Sequence, residues 1–213
     1  IAASLGGTDG GRIHLSSRIT GIRRDQGGVI MSIDGEGDVW FDKVIMAAHA
    51  DQSLKLINDA TQQERDILSS FRFQPNRAVL HSDASLMPQR RSAWGAWNYI
   101  GEGGSDTGLC LTYWMNKLQS IDMAYPLYET LNPHREPRED LVHASFSYDH
   151  PVFDESAIAA QKQLPHIQGT GNLFFAGAWT GHGFHEDGLK SAIAAVRSLG
   201  VDIPWHTQVP AYD

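Results

Sequence analysis

The chain has 213 residues, of which 41% are hydrophobic and 20% charged, a balance typical of a globular protein that can bury a full core. Its formal net charge of −8 argues against nucleic acid or an anionic membrane surface as the main partner. No apolar stretch reaches the length of a membrane span.

Alternating apolar residues predict a β-meander over residues 12–48, beginning with Ile13 and Leu15. The turns fall at Asp25–Gly28 and Asp34–Gly37, where Asp and Gly are typical of tight hairpins. The spacing then becomes helical from residue 51 to residue 71.

Two features frame the predicted helices. Thr61 and Glu64 have the spacing of a capping box, which predicts the start of the second helix. A later helix is predicted over residues 156–164, with Asp154 or Ser156 as its N-cap.

The block between these helices is rich in strand patterns and predicts a sheet. Its strands are expected at residues 77–81, 93–100, 108–115, 127–131 and 142–148. The lone Cys110 lies in one of them, so we expect a buried, inert thiol. A single cysteine also excludes an internal disulfide and favours a reducing, cytoplasmic compartment.

The most informative stretch runs from Asn172 to Ala192. Leu173–Ala176 predicts a buried strand, glycines follow, and apolar residues at helical spacing predict a helix. A helix N-terminus at the end of a buried strand presents unpaired N–H groups and a partial positive charge. Such an end suits the electron-rich or phosphorylated part of a cofactor, and the alternative is an ordinary strand–turn–helix of an α/β domain.

This stretch resembles the cofactor-binding segment of the flavin-containing amine oxidase superfamily, which includes monoamine and polyamine oxidases and phytoene-desaturase-like enzymes. Members typically carry a Leu-Phe-Phe-Ala-Gly strand, here Leu173–Gly177, near their C-terminus. A Gly-aromatic-x-Glu-Gly element then opens the last helix, and its counterpart here is Gly183–Gly188. Two further segments are similar to the family: Ile13–Ile19 and Phe41–Ala48.

The resemblance implies FAD as the cofactor. It assigns the pyrimidine side of the flavin and the pyrophosphate to backbone N–H groups from His185 to Leu189, and the adenine to the backbone of Ile19. The full set of cofactor-binding residues that it implies is Ile19, Gly177, Ala178, Trp179, Gly183, Phe184, His185, Glu186, Asp187, Gly188 and Leu189. Many members carry an acid where this chain has Ala178-Trp179, and most amine oxidases have Tyr where it has Phe184.

The resemblance also implies a fold of the α+β or α/β class. We expect a partial, Rossmann-like FAD-binding domain made of residues 1–50 and 165–200. A β-sheet-plus-helices substrate domain, residues 51–164, is inserted between them, and residues 201–213 form a surface tail. No Gly-x-Gly-x-x-Gly fingerprint occurs in the chain, so we expect the C-terminal portion of a longer flavoprotein that lacks its first FAD-binding segment.

Aromatic residues concentrate in the predicted substrate domain. Trp, Tyr and Asn together suit an apolar pocket with a few polar groups, and the residues expected to line it are Trp94, Trp97, Tyr99 and Trp114. Trp94 and Trp97 are three residues apart, so on a regular strand they face opposite sides. Sheet core is the alternative interpretation for each tryptophan.

Candidates for chemistry are few, because a flavin itself accepts the electrons. Phe184 matches an aromatic beside the flavin face, or else a core residue that closes the helix onto the sheet. Arg77 and Lys117, both expected on strands, are candidates for a cation near the flavin, or else solvated or salt-bridged. His182 and His185 lack the spacing of a metallohydrolase motif, so no metal is expected.

The resemblance therefore implies an FAD-dependent oxidoreductase as the full-length protein. Its small-molecule substrate would be an amine or a hydrophobic compound, oxidised at a C–N or C–C bond by hydride transfer to flavin. The chain alone, without the first FAD-binding segment, is expected to be inactive. The alternative is a non-catalytic binding or assembly domain that no longer holds a cofactor.

Overall fold

The computed structural model describes residues 11–100 and 110–201. It divides into two compact units: one runs up to Arg72 and resumes at Pro151, and the other runs from Phe73 to His150. These divisions differ from the predicted boundaries at residues 50/51 and 164/165, because three helices assigned to the substrate domain fold with the first unit. The functions of the two units remain predictions.

The elements of the described residues are as follows. The strands are β1 (Ile19–Asp25), β2 (Gly28–Ile33), β3 (Gly37–Phe41), β4 (Val44–Met46), β5 (Arg72–His81), β6 (Trp97–Ile100), β7 (Cys110–Trp114), β8 (Tyr128–Leu131), β9 (Val142–Val152) and β10 (Leu173–Phe175). The helices are α1 (Ala50–Leu56), α2 (Gln62–Leu68), α3 (Met115–Gln119), α4 (Glu155–Gln161) and α5 (His185–Ser198). Short 3₁₀ turns connect several of them.

The predicted meander is an antiparallel sheet of the order β1-β2-β3, which confirms the prediction from residue 19 onward. The expected strand at residues 13–15 is wrong. Ile13 and Leu15 are 49% and 82% exposed and lie outside any strand. Ser16 adopts a left-handed φ of 57°, which ends the alternation after two apolar residues.

Two distant segments form the centre of the first unit. β4 and β10 pair in parallel, with Val44 opposite Leu173 and Met46 opposite Phe175. All three residues of β10 are buried, as its continuous apolar sequence predicted. The chain thus returns to the first unit after the second unit is complete. In the described residues, this parallel pair is the part of the chain that corresponds to the predicted Rossmann-like sheet.

The predicted helix caps are present. The Thr61 hydroxyl accepts the Glu64 N–H at 3.1 Å, while the Glu64 carboxylate accepts the Thr61 N–H at 2.7 Å. Asp154, rather than Ser156, caps α4 by accepting the Ala157 N–H at 2.9 Å. The helices end earlier than predicted, at residues 68 and 161, although Phe71 is still buried.

A buried ion pair ties β1 to α2. The Glu64 side chain is fully buried and its carboxylate binds the Arg24 guanidinium, which also binds Asp59 at 3.1 Å. The same guanidinium donates to the Thr170 carbonyl at 3.3 Å, just before β10. One arginine therefore joins the β1-β2-β3 sheet, the N-terminal cap of α2 and the segment before β10.

The second unit is built on a five-stranded sheet of the order β6-β7-β8-β5-β9. The register places Thr112 opposite Thr130 and Trp114 opposite Tyr128, so all four lie on one face. His81 pairs with Tyr128 and shares this face. This face of the sheet is largely buried, whereas the opposite face of β6 is exposed.

A chain of hydrogen bonds crosses this buried face. The Nδ1 atom of His81 accepts the Asp83 N–H at 3.1 Å, so its Nε2–H donates to the Thr130 hydroxyl at 2.8 Å. Thr130 and Thr112 are joined at 2.8 Å through their hydroxyl groups. His81 is fully buried, and this burial lowers its pKa below the ordinary value.

The buried thiol is confirmed. Cys110 is 2% exposed, with its Sγ atom 3.4 Å from Nδ1 of His134. Among the helices of the described residues, none is both long enough and apolar enough to cross a membrane. The overall class is a mixture of sheets and helices, as predicted.

Candidate cofactor site

The candidate site lies where β10 passes into α5. The strand and Ala176 are buried, and the next amide, the Gly177 N–H, donates to the Ser191 hydroxyl at 2.8 Å. Ser191 in turn donates to the Gly188 carbonyl at 2.7 Å, one turn earlier on α5. A single serine therefore fixes the end of the strand against the first turns of the helix.

The turn between them is compact and depends on glycine. The Gly183 N–H donates to the Ala178 carbonyl at 3.1 Å, which closes the turn. Gly183 has a φ of +89°, a backbone conformation that residues with a side chain rarely adopt. A Cβ at this position would also lie 3.1 Å from the Phe153 ring. Glycine at this position lets the chain enter the helix directly.

The helix start presents free donors. Phe184 is the N-cap residue, and its carbonyl accepts the N–H groups of Asp187 and Gly188 at 3.0 and 3.2 Å. The Asp187 carboxylate accepts the Phe184 N–H at 3.0 Å. Within the described residues, no hydrogen bond uses the backbone N–H of His185 or Glu186. These two donors stand at the positive end of a 14-residue helix.

The two acidic residues at this helix start, Glu186 and Asp187, have different surroundings. Asp187 lies against Gly181 and is engaged in the cap. Glu186 is exposed and has the Lys190 ammonium 3.9 Å away, one turn along the helix. Two carboxylates beside the free donors favour an uncharged acceptor over a phosphate at this end.

The predicted substrate-lining aromatics divide between two surfaces of the second unit. Trp97 and Tyr99 lie on the exposed face of β6 and are 56% and 64% exposed. Trp94 contacts Trp114 and Tyr128, with ring centroids 5.4 and 5.9 Å apart, on the other side of the sheet. Trp94 and Trp97 thus lie on opposite sides, but Trp94 precedes β6, so the strand expected from residue 93 is wrong over its first four residues.

Solved structures share this architecture. A CLA-producing fatty acid isomerase from P. acnes is 15% identical with a TM-score of 0.58, covering 87% of this chain and 48% of its own. A putative protoporphyrinogen oxidase from Exiguobacterium sp. 255-15 is 14% identical with a TM-score of 0.57, covering 88% and 47%. Putrescine oxidase bound to putrescine is 10% identical with a TM-score of 0.59, covering 94% and 51%.

This is the fold of the flavin-containing amine oxidase superfamily. The resemblance predicted from the sequence is therefore confirmed at the level of the fold. The chain spans about half the length of the solved structures that it matches. Its sequence matches no protein-family profile and no curated protein.

Phe184 occupies the exposed side of the helix start. It is 58% exposed, so its interpretation as a core residue that closes the helix onto the sheet is wrong. Leu189, one turn later, is 46% exposed. Among superfamily members, the position of Phe184 was expected to hold an aromatic beside the flavin, and the exposed ring is compatible with that role.

Trp179, by contrast, belongs to the core of the first unit. Its side chain is 3% exposed, its indole N–H donates to the Ala48 carbonyl at 3.1 Å, and its ring meets Phe71 edge-on at 4.6 Å. Only its backbone remains for a cofactor, and the Trp179 carbonyl already accepts Gln161 at 3.1 Å. The packing of Trp179 explains why Gly177 must be glycine, since a Cβ there would overlap the indole.

Ile19, the residue expected beside the adenine, begins β1. It pairs with Ile33 of β2, and a β-bulge or irregularity follows between Ile19 and Gly21. Its side chain is half-buried. The expected contact uses the backbone alone, so this partial burial is compatible with it.

The two candidate cations differ from the prediction in different ways. Arg77 does lie on a strand, where both of its terminal nitrogens bind the Glu136 carboxylate at 2.6 and 2.8 Å. These bonds raise the pKa of Arg77, so the salt-bridged alternative describes it. The placement of Lys117 on a strand is wrong, because the chain enters α3 at Met115.

The reason lies in Asn116, whose signal was missed. This buried side chain binds the carbonyls of Asp122 and Tyr125, each at 2.9 Å, and accepts the Leu127 N–H at 2.8 Å. It therefore holds a compact excursion between β7 and β8, with Lys117 exposed on it. An asparagine inside an apolar strand pattern is the sequence signal that could have shown the end of the strand.

The histidines and acids near the helix start do not converge. Within residues 11–100 and 110–201, no group of three or more His, Cys, Asp or Glu side chains is close enough to hold a metal ion.

Proposed function

We propose that this chain forms part of an FAD-dependent oxidoreductase, with the pyrimidine edge of the flavin at the start of α5. The observation that carries the proposal is the pair of free N–H groups of His185 and Glu186 at the end of a buried strand. The fold of the superfamily supports FAD as the group held there. Bound FAD would supply the electron acceptor for oxidation of a C–N or C–C bond.

The residues present fit the pyrimidine better than the pyrophosphate. The two donors and the helix dipole would stabilise negative charge that develops on the pyrimidine carbonyl of a reduced ring. A pyrophosphate at the same place would meet the carboxylates of Glu186 and Asp187. We therefore propose that the pyrimidine contacts backbone N–H groups of His185–Leu189 and that the adenine contacts the backbone of Ile19.

Phe184 bears on the substrate. Its exposed ring offers a flat apolar surface without the hydroxyl group that tyrosine would provide at this position. We propose a hydrophobic substrate, with an amine as the other class. The four residues expected to line the substrate pocket cannot all line one pocket, because Trp97 and Tyr99 lie on the opposite side of the sheet from Trp94 and Trp114. A single pocket would be lined by one of these two pairs.

A proline substitution tests the proposed donors. His185 is the first helical residue, where proline is well tolerated, and Phe184 before it already has a compatible extended conformation, with φ of −93° and ψ of 164°. His185→Pro therefore removes one free N–H group and leaves the helix intact. His185→Ala is the matched control, since it removes the side chain and keeps the N–H.

The experiment is a titration with FAD, followed by flavin absorbance and fluorescence, on the product of the whole open reading frame and on this 213-residue chain. We expect the former to bind FAD, and the latter to be inactive as an oxidase. Loss of one hydrogen bond predicts about 2- to 10-fold weaker binding in His185→Pro, with little change in His185→Ala. If the product of the whole reading frame leaves the spectrum of free FAD unchanged, the proposal is wrong and a non-catalytic module is favoured.

A further inference from the structure

Arg91 contacts two aromatic rings, whereas several other arginines of the described residues form ion pairs. Its Cζ atom lies 3.7 Å from the centroid of the Trp94 ring and 4.8 Å from that of Trp114. Within the described part of the chain, no carboxylate lies within 4.0 Å of it. The arginines that do pair with a carboxylate are Arg23, Arg24, Arg72, Arg77 and Arg138.

The aromatic residues around Arg91 hold each other in place. The rings of Trp94 and Trp114 are perpendicular, with an interplanar angle of 89°, and Trp94 also meets Tyr128 edge-on. The Trp94 indole N–H donates to the Pro88 carbonyl at 2.7 Å, which fixes the orientation of the ring. Burial raises the pKa of the Tyr128 hydroxyl, and the charge of Arg91 together with a hydrogen bond from its side chain opposes this rise. We call Arg91, Trp94, Trp114 and Tyr128 the Arg91 cluster.

The chemistry of the Arg91 cluster is that of an anion site. A guanidinium stacked on an aromatic face can still donate hydrogen bonds from its edge, and this edge matches a carboxylate or phosphate in a bidentate manner. Arg91 is exposed, so a ligand can reach that edge. Because the rings already orient the guanidinium, less conformational freedom is lost when an anion binds.

Exposed apolar side chains lie on the connection at the same end of the sheet. The excursion between β7 and β8 starts after Trp114 and ends before Tyr128, both members of the Arg91 cluster. It exposes three large hydrophobic side chains: Leu118 at 43%, Met123 at 56% and Tyr125 at 72%. Asn116 holds the backbone of this excursion through hydrogen bonds to the Asp122 and Tyr125 carbonyls.

We infer that the Arg91 cluster binds the carboxylate or phosphate group of an amphipathic ligand, whose apolar body lies on the excursion between β7 and β8. Binding itself needs no flavin. That the ligand is also the substrate rests on the proposed function.

Isothermal titration calorimetry with three eight-carbon probes tests the inference on the product of the whole open reading frame. Octanoate and octyl phosphate carry the two anionic groups, and 1-octanol has the same chain without charge. Arg91→Gln removes the guanidinium, while Arg91→Lys keeps the charge and loses the planar donor edge. Arg90→Gln is the matched control, since Arg90 is exposed and adjacent and contacts no aromatic ring in the described structure.

We expect at least one anion to bind 10-fold or more tightly than 1-octanol, and which one does so identifies the head group. Arg91→Gln should weaken its binding at least 10-fold, Arg91→Lys less, and Arg90→Gln less than 3-fold. Equal losses in Arg91→Gln and Arg90→Gln, equal binding of 1-octanol, or no binding of any probe would overturn the inference. Anion binding that depends on Arg91 in a protein that holds no flavin supports the anion site and contradicts the proposed function.

Discussion

Two phenylalanines in one short segment should lose very different amounts of stability on truncation to alanine. Phe175 is fully buried in β10, whereas Phe184 at the start of α5 is 58% exposed. Replacing a buried phenylalanine by alanine costs about 3–5 kcal/mol, since it removes apolar burial and leaves a cavity. Full burial of a phenylalanine contributes about 1.5–3 kcal/mol, so less than half of that, about 1 kcal/mol, applies to Phe184.

Urea unfolding followed by far-UV circular dichroism measures this difference. With a slope of about 2 kcal/mol per molar urea, Phe175→Ala should lower the midpoint by roughly 1.5–2.5 M and Phe184→Ala by roughly 0.5 M. Neither a phenylalanine nor an alanine side chain can accept a hydrogen bond at the N-cap, so Phe184→Ala loses no side-chain capping bond. A loss of about 3 kcal/mol or more in Phe184→Ala would refute the reasoning, because it would show that Phe184 belongs to the core and is not available to a ligand.

Two further predictions concern buried polar groups. Glu64→Ala should destabilise the protein by about 3 kcal/mol in the same assay, because Arg24 loses its buried carboxylate partner and keeps only Asp59 and the Thr170 carbonyl. Arg23→Ala, which breaks an exposed pair, should give no measurable change, and equal effects of the two substitutions would contradict this. The unfolding midpoint should also fall as the pH is lowered through about 6.5, because the unfolded histidine takes up a proton there while buried His81, with its lowered pKa, does not. His81→Gln should weaken this pH dependence, the exposed His166→Gln should not, and an unchanged profile in His81→Gln would count against the buried network.

Local patterns in the sequence predicted the elements that depend on neighbours in the chain. The capping box of Thr61 and Glu64, the hairpins of the meander and the strand–turn–helix at Leu173 each follow from a few adjacent residues. The errors arise where tertiary contacts decide. Ile13 and Leu15 alternate like a strand and yet are exposed, and Lys117 continues an apolar strand pattern that Asn116 interrupts.

The ion pair of Arg24 and Glu64 shows the limit in another way. Nothing in either local sequence indicates that a residue of the meander neutralises the acid of a capping box. Likewise, Trp94 is only three residues from Arg91, but the second ring, that of Trp114, reaches Arg91 through β7. Such pairs become visible only when the order of the strands is known.

The same distinction separates the two halves of the proposed chemistry. The contact proposed for the flavin uses backbone N–H groups, whose positions follow from a buried strand, a glycine turn and a helix start that are contiguous in the chain. The contacts proposed for the ligand use side chains from residues 91–128, which the five-stranded sheet brings together. The proposed cofactor contact therefore depends on a short motif, whereas the proposed ligand contact depends on the folded sheet. Substitutions in the Arg91 cluster should change ligand binding without changing the affinity for FAD.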